Sequence, residues 1–139
     1  MLPECLQNAI NAKIDEGDSY LNVDQFEQAE RSYREAIQLI PDPKYVHAIA
    51  LPAFTALGEA LFFSGDCHRA RQPFLEALKA PGGLENPLLH LRLGQAYFDC
   101  GDLHKALDSF LRAYALEGKD IFDNEDEKYL AFLKSHIAV

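Results

Sequence analysis

The chain has 139 residues, 48% of them hydrophobic, and its abundance of Leu and Ala without a single Trp favours one helical domain with a sizeable core. Its 13 basic and 22 acidic residues leave a formal net charge of −9, which disfavours a sequence-independent grip on nucleic acid phosphates or on an anionic membrane and favours basic partners. Cys5, Cys67 and Cys100 are odd in number and form no CxxC pair, and the N-terminus has no basic region leading into an apolar one, so a cytoplasmic location is expected.

Residues 4–22 place Leu6, Ala9, Ile10, Ala12, Ile14, Gly17, Tyr20 and Leu21 at helical spacing, which predicts a first helix. Asp24 followed by Glu27 reads as a capping box opening a second helix, flanked by Phe26, Ala29, Tyr33, Ala36, Ile37 and Ile40 and ended by Pro41. Asp42-Pro43 reads as an N-cap and a first-turn proline, predicting a long helix from Pro43 to Ser64. Pro52 should kink or divide that helix, because its ring meets the carbonyl of Ala48. The run VHAIALPAFTALGEALFF is apolar, but Pro52 and Glu59 inside it argue for a helix contacted on several sides rather than a membrane span.

Gly65-Asp66 then turns the chain into a fourth helix, with Pro73 in its middle and Pro81-Gly82-Gly83 at its end. Asn86-Pro87 opens a fifth helix, and Cys100-Gly101-Asp102 joins it to a sixth. Gly101 suits a left-handed residue at the helix end, and Asp102 can accept backbone N–H bonds at the next helix start. Beyond Gly118, Tyr129, Leu130, Leu133 and Ile137 predict a last helix over about residues 123–137. Acidic Glu125, Asp126 and Glu127 lie in its first turn and Lys134 and His136 near its end, as the macrodipole favours.

Small and large residues recur along these helices. His90-x2-Leu93-Gly94-x2-Tyr97 with Ala106-x3-Phe110-x2-Ala113, and Phe54-x2-Leu57-Gly58-x2-Leu61 with Ala70-x3-Phe74-x2-Ala77, resemble the tetratricopeptide repeat pattern. Ala29, Tyr33, Ala36 and Pro41 match the second half of an earlier copy, whose first half departs from the pattern at Lys13 and Glu16. Independently of the resemblance, Gly94 and Ala106 lack bulk where two helix axes should approach most closely, and Tyr97 and Phe110 fill the space on either side.

The resemblance implies an all-α right-handed superhelical solenoid of three helical hairpins and a C-terminal capping helix, seven helices in one domain. The repeats run from about 4 to 41, 43 to 81 and 86 to 118. It further implies a non-enzymatic scaffold that binds a protein or peptide. Small bacterial three-repeat proteins of this look serve as secretion chaperones or as immunity partners that mask a basic toxin. One subgroup clamps a peptide carboxylate with Lys and Asn side chains. The matching places here hold Ile14, Asp18, Ala56 and Leu88, with only Arg92 basic.

The chain holds no Gly-rich phosphate loop, GxSxG elbow, HExxH or paired Cys motif, so no catalytic residue, cofactor or metal is expected. His68 and His104 stand one repeat apart beside Cys67 and Cys100, and a metal-binding or enzymatic sensor on these turns is the alternative. Packed helices lie about 10 Å apart, too far for direct shared ligation by equivalent side chains. A self-assembling scaffold is a further alternative. His90 is expected to pack as an aromatic ring.

In stacked hairpins the first helix of each pair lines the concave side. By helical phase, that groove comprises Asn11, Asp15, Asp18 and Asn22, then Thr55, Glu59, Phe62 and Phe63, then Arg92, Gln95 and Asp99, with Phe98 as an apolar anchor. Phe62 and Phe63 can equally belong to the core. Such a groove is acidic, with Arg92 its lone cation. It predicts a basic segment of another protein as ligand, no nucleic acid or membrane, and leaves self-association open.

Overall fold

The computed structural model describes residues 2–138, and among them every regular element is helical. In chain order these are α1 (Glu4–Leu21), α2 (Phe26–Leu39), a 3-10 turn (Lys44–Val46), α3 (Ala50–Phe63), α4 (Cys67–Leu78), α5 (Pro87–Asp99), α6 (Leu103–Glu117), a second 3-10 turn (Lys119–Phe122) and α7 (Glu127–Lys134). The chain divides into two compact units, Met1–Gly83 with α1–α4 and Leu84–Val139 with α5–α7.

Each hairpin closes on one device. A Cβ added at Gly17 would fall 2.4 Å from Cε1 of Tyr33, one at Gly58 2.5 Å from Cδ1 of Phe74, and one at Gly94 2.6 Å from Cδ1 of Phe110. All three rings are fully buried. The glycine on the first helix therefore makes room for an aromatic ring from the second, and this close approach is the packing that the spacing predicts. Ala29, Ala70 and Ala106, four residues before each ring, are also fully buried and keep the paired helices near.

The turns inside the hairpins share one geometry. The N–H groups of Gln25, Asp66 and Asp102 bond to the carbonyls of Tyr20, Leu61 and Tyr97, each five residues back. Gly65 (φ 94°) and Gly101 (φ 86°) take the left-handed place, and Asp66 and Asp102 then cap α4 and α6 by accepting from the N–H of Arg69 and Lys105. In the first hairpin the expected capping box of Asp24 and Glu27 does not form. Asp24 has φ 59° and occupies the glycine place, which leaves Gln25 at the N-cap with no side-chain bond. Asp is among the few residues that visit this region at modest cost. Replacing Asp102 by Ala should lower unfolding free energy by about 1 kcal/mol, whereas Gln25→Ala, which removes no cap, should leave the urea midpoint in place.

The long helix expected from Pro43 is also absent. Pro43 is extended, a 3-10 turn follows at Lys44–Val46, and α3 starts only at Ala50. The insertion acts as a clip instead. Lys44 Nζ donates to the carbonyls of Ile37 and Ile40 at 3.1 and 2.6 Å, satisfying the end of α2, and Tyr45 stacks on Phe54 while donating to Glu76. Pro52 thereby falls in the first turn of α3, where a missing N–H breaks no helical bond, so the predicted kink has no cause. Pro73 does lie inside α4, and the helix continues past it. Its ring is buried, so apolar burial offsets part of the lost backbone bond.

In the second unit, Asn86 caps α5 by accepting from the N–H of Leu89, with Pro87 at the first helical position, as expected. His90 is buried as an aromatic ring and donates from Nε2 to the Leu84 carbonyl at 2.9 Å. Gly118 (φ 87°) ends α6, and Phe122 packs edge-on to Phe110, with 5.6 Å between ring centres. The last helix is shorter than the sequence suggests. Asp126 caps it through the N–H of Lys128, and Tyr129 and Leu133 are its buried anchors. No described helix is long and apolar enough to cross a membrane.

Candidate partner-binding surface

In the first unit, α1 and α3 touch one another and supply eight of the twelve groove positions. Asn11, Asp15 and Asp18 on α1 and Asn22 at its C-terminal cap are all exposed. Thr55, Glu59 and Phe62 on α3 are half-buried, and Phe63 is 46% exposed. Phe62 and Phe63 contact one another edge to face at 5.5 Å, so the pair lies at the boundary between core and surface. Thr55 presents a buried hydroxyl that finds no hydrogen-bond partner among the described residues.

Asp18 and Glu59 directly follow Gly17 and Gly58 and thus hold the same place on successive first helices. Tyr33, the ring that fills the space over Gly17, carries its hydroxyl to this level and donates to Asp18 Oδ1. Burial pushes the Tyr33 phenol well above its ordinary range, and the bond to Asp18 and the charges of Asp18 and Glu59 push it the same way. Asp18 therefore holds the hydroxyl directly, and the charge of Glu59, from the other first helix, acts on the same phenol from further off.

In the second unit the four remaining positions have a different fate. Glu125 Oε1 accepts from Arg92 Nη1 and from Gln95 Nε2, both at 2.7 Å, and Arg92 Nη1 also reaches Gln95 Oε1 at 3.0 Å. Gln95 is 1% exposed. Tyr129 donates to the two carboxylate oxygens of Asp99 at 2.9 and 3.1 Å, with Lys128 Nζ 3.7 Å from Oδ1. Phe98 packs edge-on to Tyr129 and Phe132, with ring centres 5.4 and 5.2 Å apart. Arg92, Gln95, Phe98 and Asp99 thus all face the chain's own C-terminal segment. The sequence marks Glu125 only as a first-turn acid. Its role is not visible there, because it precedes the helix and meets α5 only through the fold.

Tyr129, like Tyr33, is held protonated to higher pH, by burial first and then by the bond to Asp99 and the nearby charges of Asp99, Asp126 and Glu125. For an acid whose folded pKa is raised, the stabilisation is complete below the ordinary phenol value of about 10 and is lost as pH rises above it. Thermal midpoints should therefore fall on the alkaline side of pH 10, and a Tyr33→Phe, Tyr129→Phe chain should show a flatter decline over the same range.

Residues 55–121 match one tetratricopeptide repeat family model and residues 10–43 match another, together spanning all three hairpins. The chain belongs to the tetratricopeptide repeat family. Among solved structures, the N-terminal domain of stress-induced protein-1 (STI-1) from C. elegans is similar, with a TM-score of 0.70 at 19% identity over 96% of this chain and 98% of that one. No curated protein matches the sequence. The tetratricopeptide repeat is a protein-interaction module, which makes this chain a scaffold for binding other proteins or peptides.

Proposed function

We propose that the protein is a non-enzymatic adaptor that holds a basic, extended or helical segment of a partner protein against the acidic face of α1 and α3. The supporting observation is the exposed row Asn11, Asp15, Asp18 and Asn22 along the first helix and its C-terminal cap, with Asp18 held by the Tyr33 hydroxyl and the Phe62–Phe63 pair on α3 beside it. Carboxylates attract and align a cationic segment, and the aromatic pair offers an apolar anchor beside them. The formal charge of −9 extends the same attraction over the surface and raises the encounter rate with basic chains. A secretion chaperone or an immunity partner that shields a basic protein would both use this chemistry.

The test is a titration of the full chain with a fluorescent Lys/Arg-rich peptide carrying one Leu or Phe per helical turn, beside the same peptide with Glu in place of the basic residues. Binding of the first and not the second is expected. It should weaken as the Debye length shortens from about 8 Å at about 0.15 M salt to about 3 Å at about 1 M. Binding that ignores salt would move the site to an apolar surface, and equal binding of the acidic peptide would end the proposal. A pull-down from the native source would then name the partner.

A further inference from the structure

The C-terminal segment of the second unit packs on both helices of the last hairpin, on α5 and, through Tyr129 and Phe132, on Phe110 of α6. Its contacts fall at fixed spacing: Glu125 on Arg92 and Gln95, Tyr129 on Asp99 and Phe98, Phe132 on Phe98, and Leu133 fully buried. Tyr129, Phe132 and Leu133 are positions i, i+3 and i+4 of α7, the single face that a helix presents when it docks in a groove, and Glu125 adds a contact from just before the helix. The mixture of contacts is also that of a recognition surface. A closing helix needs only apolar cover, yet here a carboxylate is received by two donors at 2.7 Å and a tyrosine hydroxyl by both oxygens of a carboxylate. Ion pairs and directed hydrogen bonds specify which helix docks and in which register more than they add to its hold.

The connection to this segment has the form of a tether. Gly118 (φ 87°) ends α6, a 3-10 turn covers Lys119–Phe122, and Phe122 is pinned beside Phe110. Beyond Phe122 only four residues lead to the eight-residue α7. A segment on so short a connection presents itself at an effective concentration on the order of mM, so it keeps out a free competitor at µM levels even when its own affinity is weak.

We propose that the α5–α6 hairpin of the second unit is a second recognition surface, distinct from the acidic face of the first unit, and that residues 125–133 are its built-in occupant. The external ligand it accepts is an amphipathic helix of another protein with large aromatic residues at i and i+3, a Leu at i+4 and a carboxylate four residues before the first aromatic, just ahead of the helix. Such a helix binds by displacing α7. The segment therefore sets a threshold, and a partner must either be locally concentrated or loosen the Glu125 and Phe132 contacts first.

The experiment uses the full chain and a fluorescent peptide of its own residues 119–138. Into wild type the peptide should bind at least tenfold more weakly than into a Glu125→Gln, Phe132→Ala chain, whose own segment has lost the charge and the ring that hold it. The same peptide carrying Glu125→Lys should lose binding to that variant. A variant that is folded by circular dichroism and binds neither peptide, or binds both equally, overturns the proposal. Should the variant not fold, hydrogen exchange of the wild-type chain decides. Amides of residues 131–134 should exchange at least tenfold faster than those of residues 94–97 and 109–113, showing that the segment opens while the hairpin stays closed. Equal exchange would make α7 an inseparable part of the core and overturn the proposal.

Discussion

Replacing Gly94 by Leu should lower the unfolding free energy by about 1–3 kcal/mol, even though helix propensity alone predicts a gain approaching 1 kcal/mol from removing a glycine. The sign is decided by space. A Cβ at this position would lie 2.6 Å from Cδ1 of Phe110, 2.7 Å from its Cε1 and 3.2 Å from Cβ of Ser109. Phe110 cannot swing away, because it is fully buried and has Phe122, Tyr129 and Phe132 around it. With the Cβ alone already too close to a ring that cannot move, α5 and α6 must move apart. The melting midpoint should drop by roughly 4 °C for each kcal/mol in a chain of this size. A midpoint that rises would show that α5 and α6 part at little cost and that propensity governs the site.

Much of this packing is legible in the sequence because it depends on residue size at helical spacing, and Gly94, Ala106 and Phe110 carry it within one hairpin. Turns are legible where their chemistry is unambiguous, as at Gly101-Asp102. They mislead where one residue type serves two places. Asp24 satisfies the pattern of an N-cap, yet the turn has the same length in every hairpin and sets Asp24 one residue earlier, in the left-handed position. Between Pro43 and Ile49 local signals favour a helix, and tertiary contacts override them: Lys44 is drawn to the end of α2 and Tyr45 to Phe54 and Glu76. The candidate surface divides in the same way. Exposure of Asp15 and Asp18 follows from phase alone. Occupation of Arg92, Gln95, Phe98 and Asp99 depends on a segment about 30 residues downstream, and no periodicity within α5 can announce it.

Reversing charge on α1 gives the largest expected effect on binding. A chain with Asp15→Lys and Asp18→Lys should lose at least about a hundredfold in affinity for the basic peptide, since like-charge contact across an interface costs several kcal/mol and each tenfold corresponds to about 1.4 kcal/mol. Asp18 also accepts from Tyr33, so its replacement disturbs a partly buried hydroxyl as well as the surface field. Asp18→Asn separates the two effects, because the amide oxygen can still accept while the charge is gone. That variant should lose part of the affinity and keep its melting midpoint. The proper control is Asp108→Lys on α6, whose side chain is 63% exposed and paired only with Arg112 among the described contacts. Glu35 is unsuitable, although helical phase alone places it facing solvent, because its carboxylate lies 2.8 Å from Lys13 Nζ and links α2 to α1. Association rates should fall more than dissociation rates rise for the exposed Asp15, as expected of a charge that steers encounter. If Asp108→Lys weakens the basic peptide as much as the α1 pair does, the attraction is a property of net charge and not of this face, and the binding surface must be sought on the second helices.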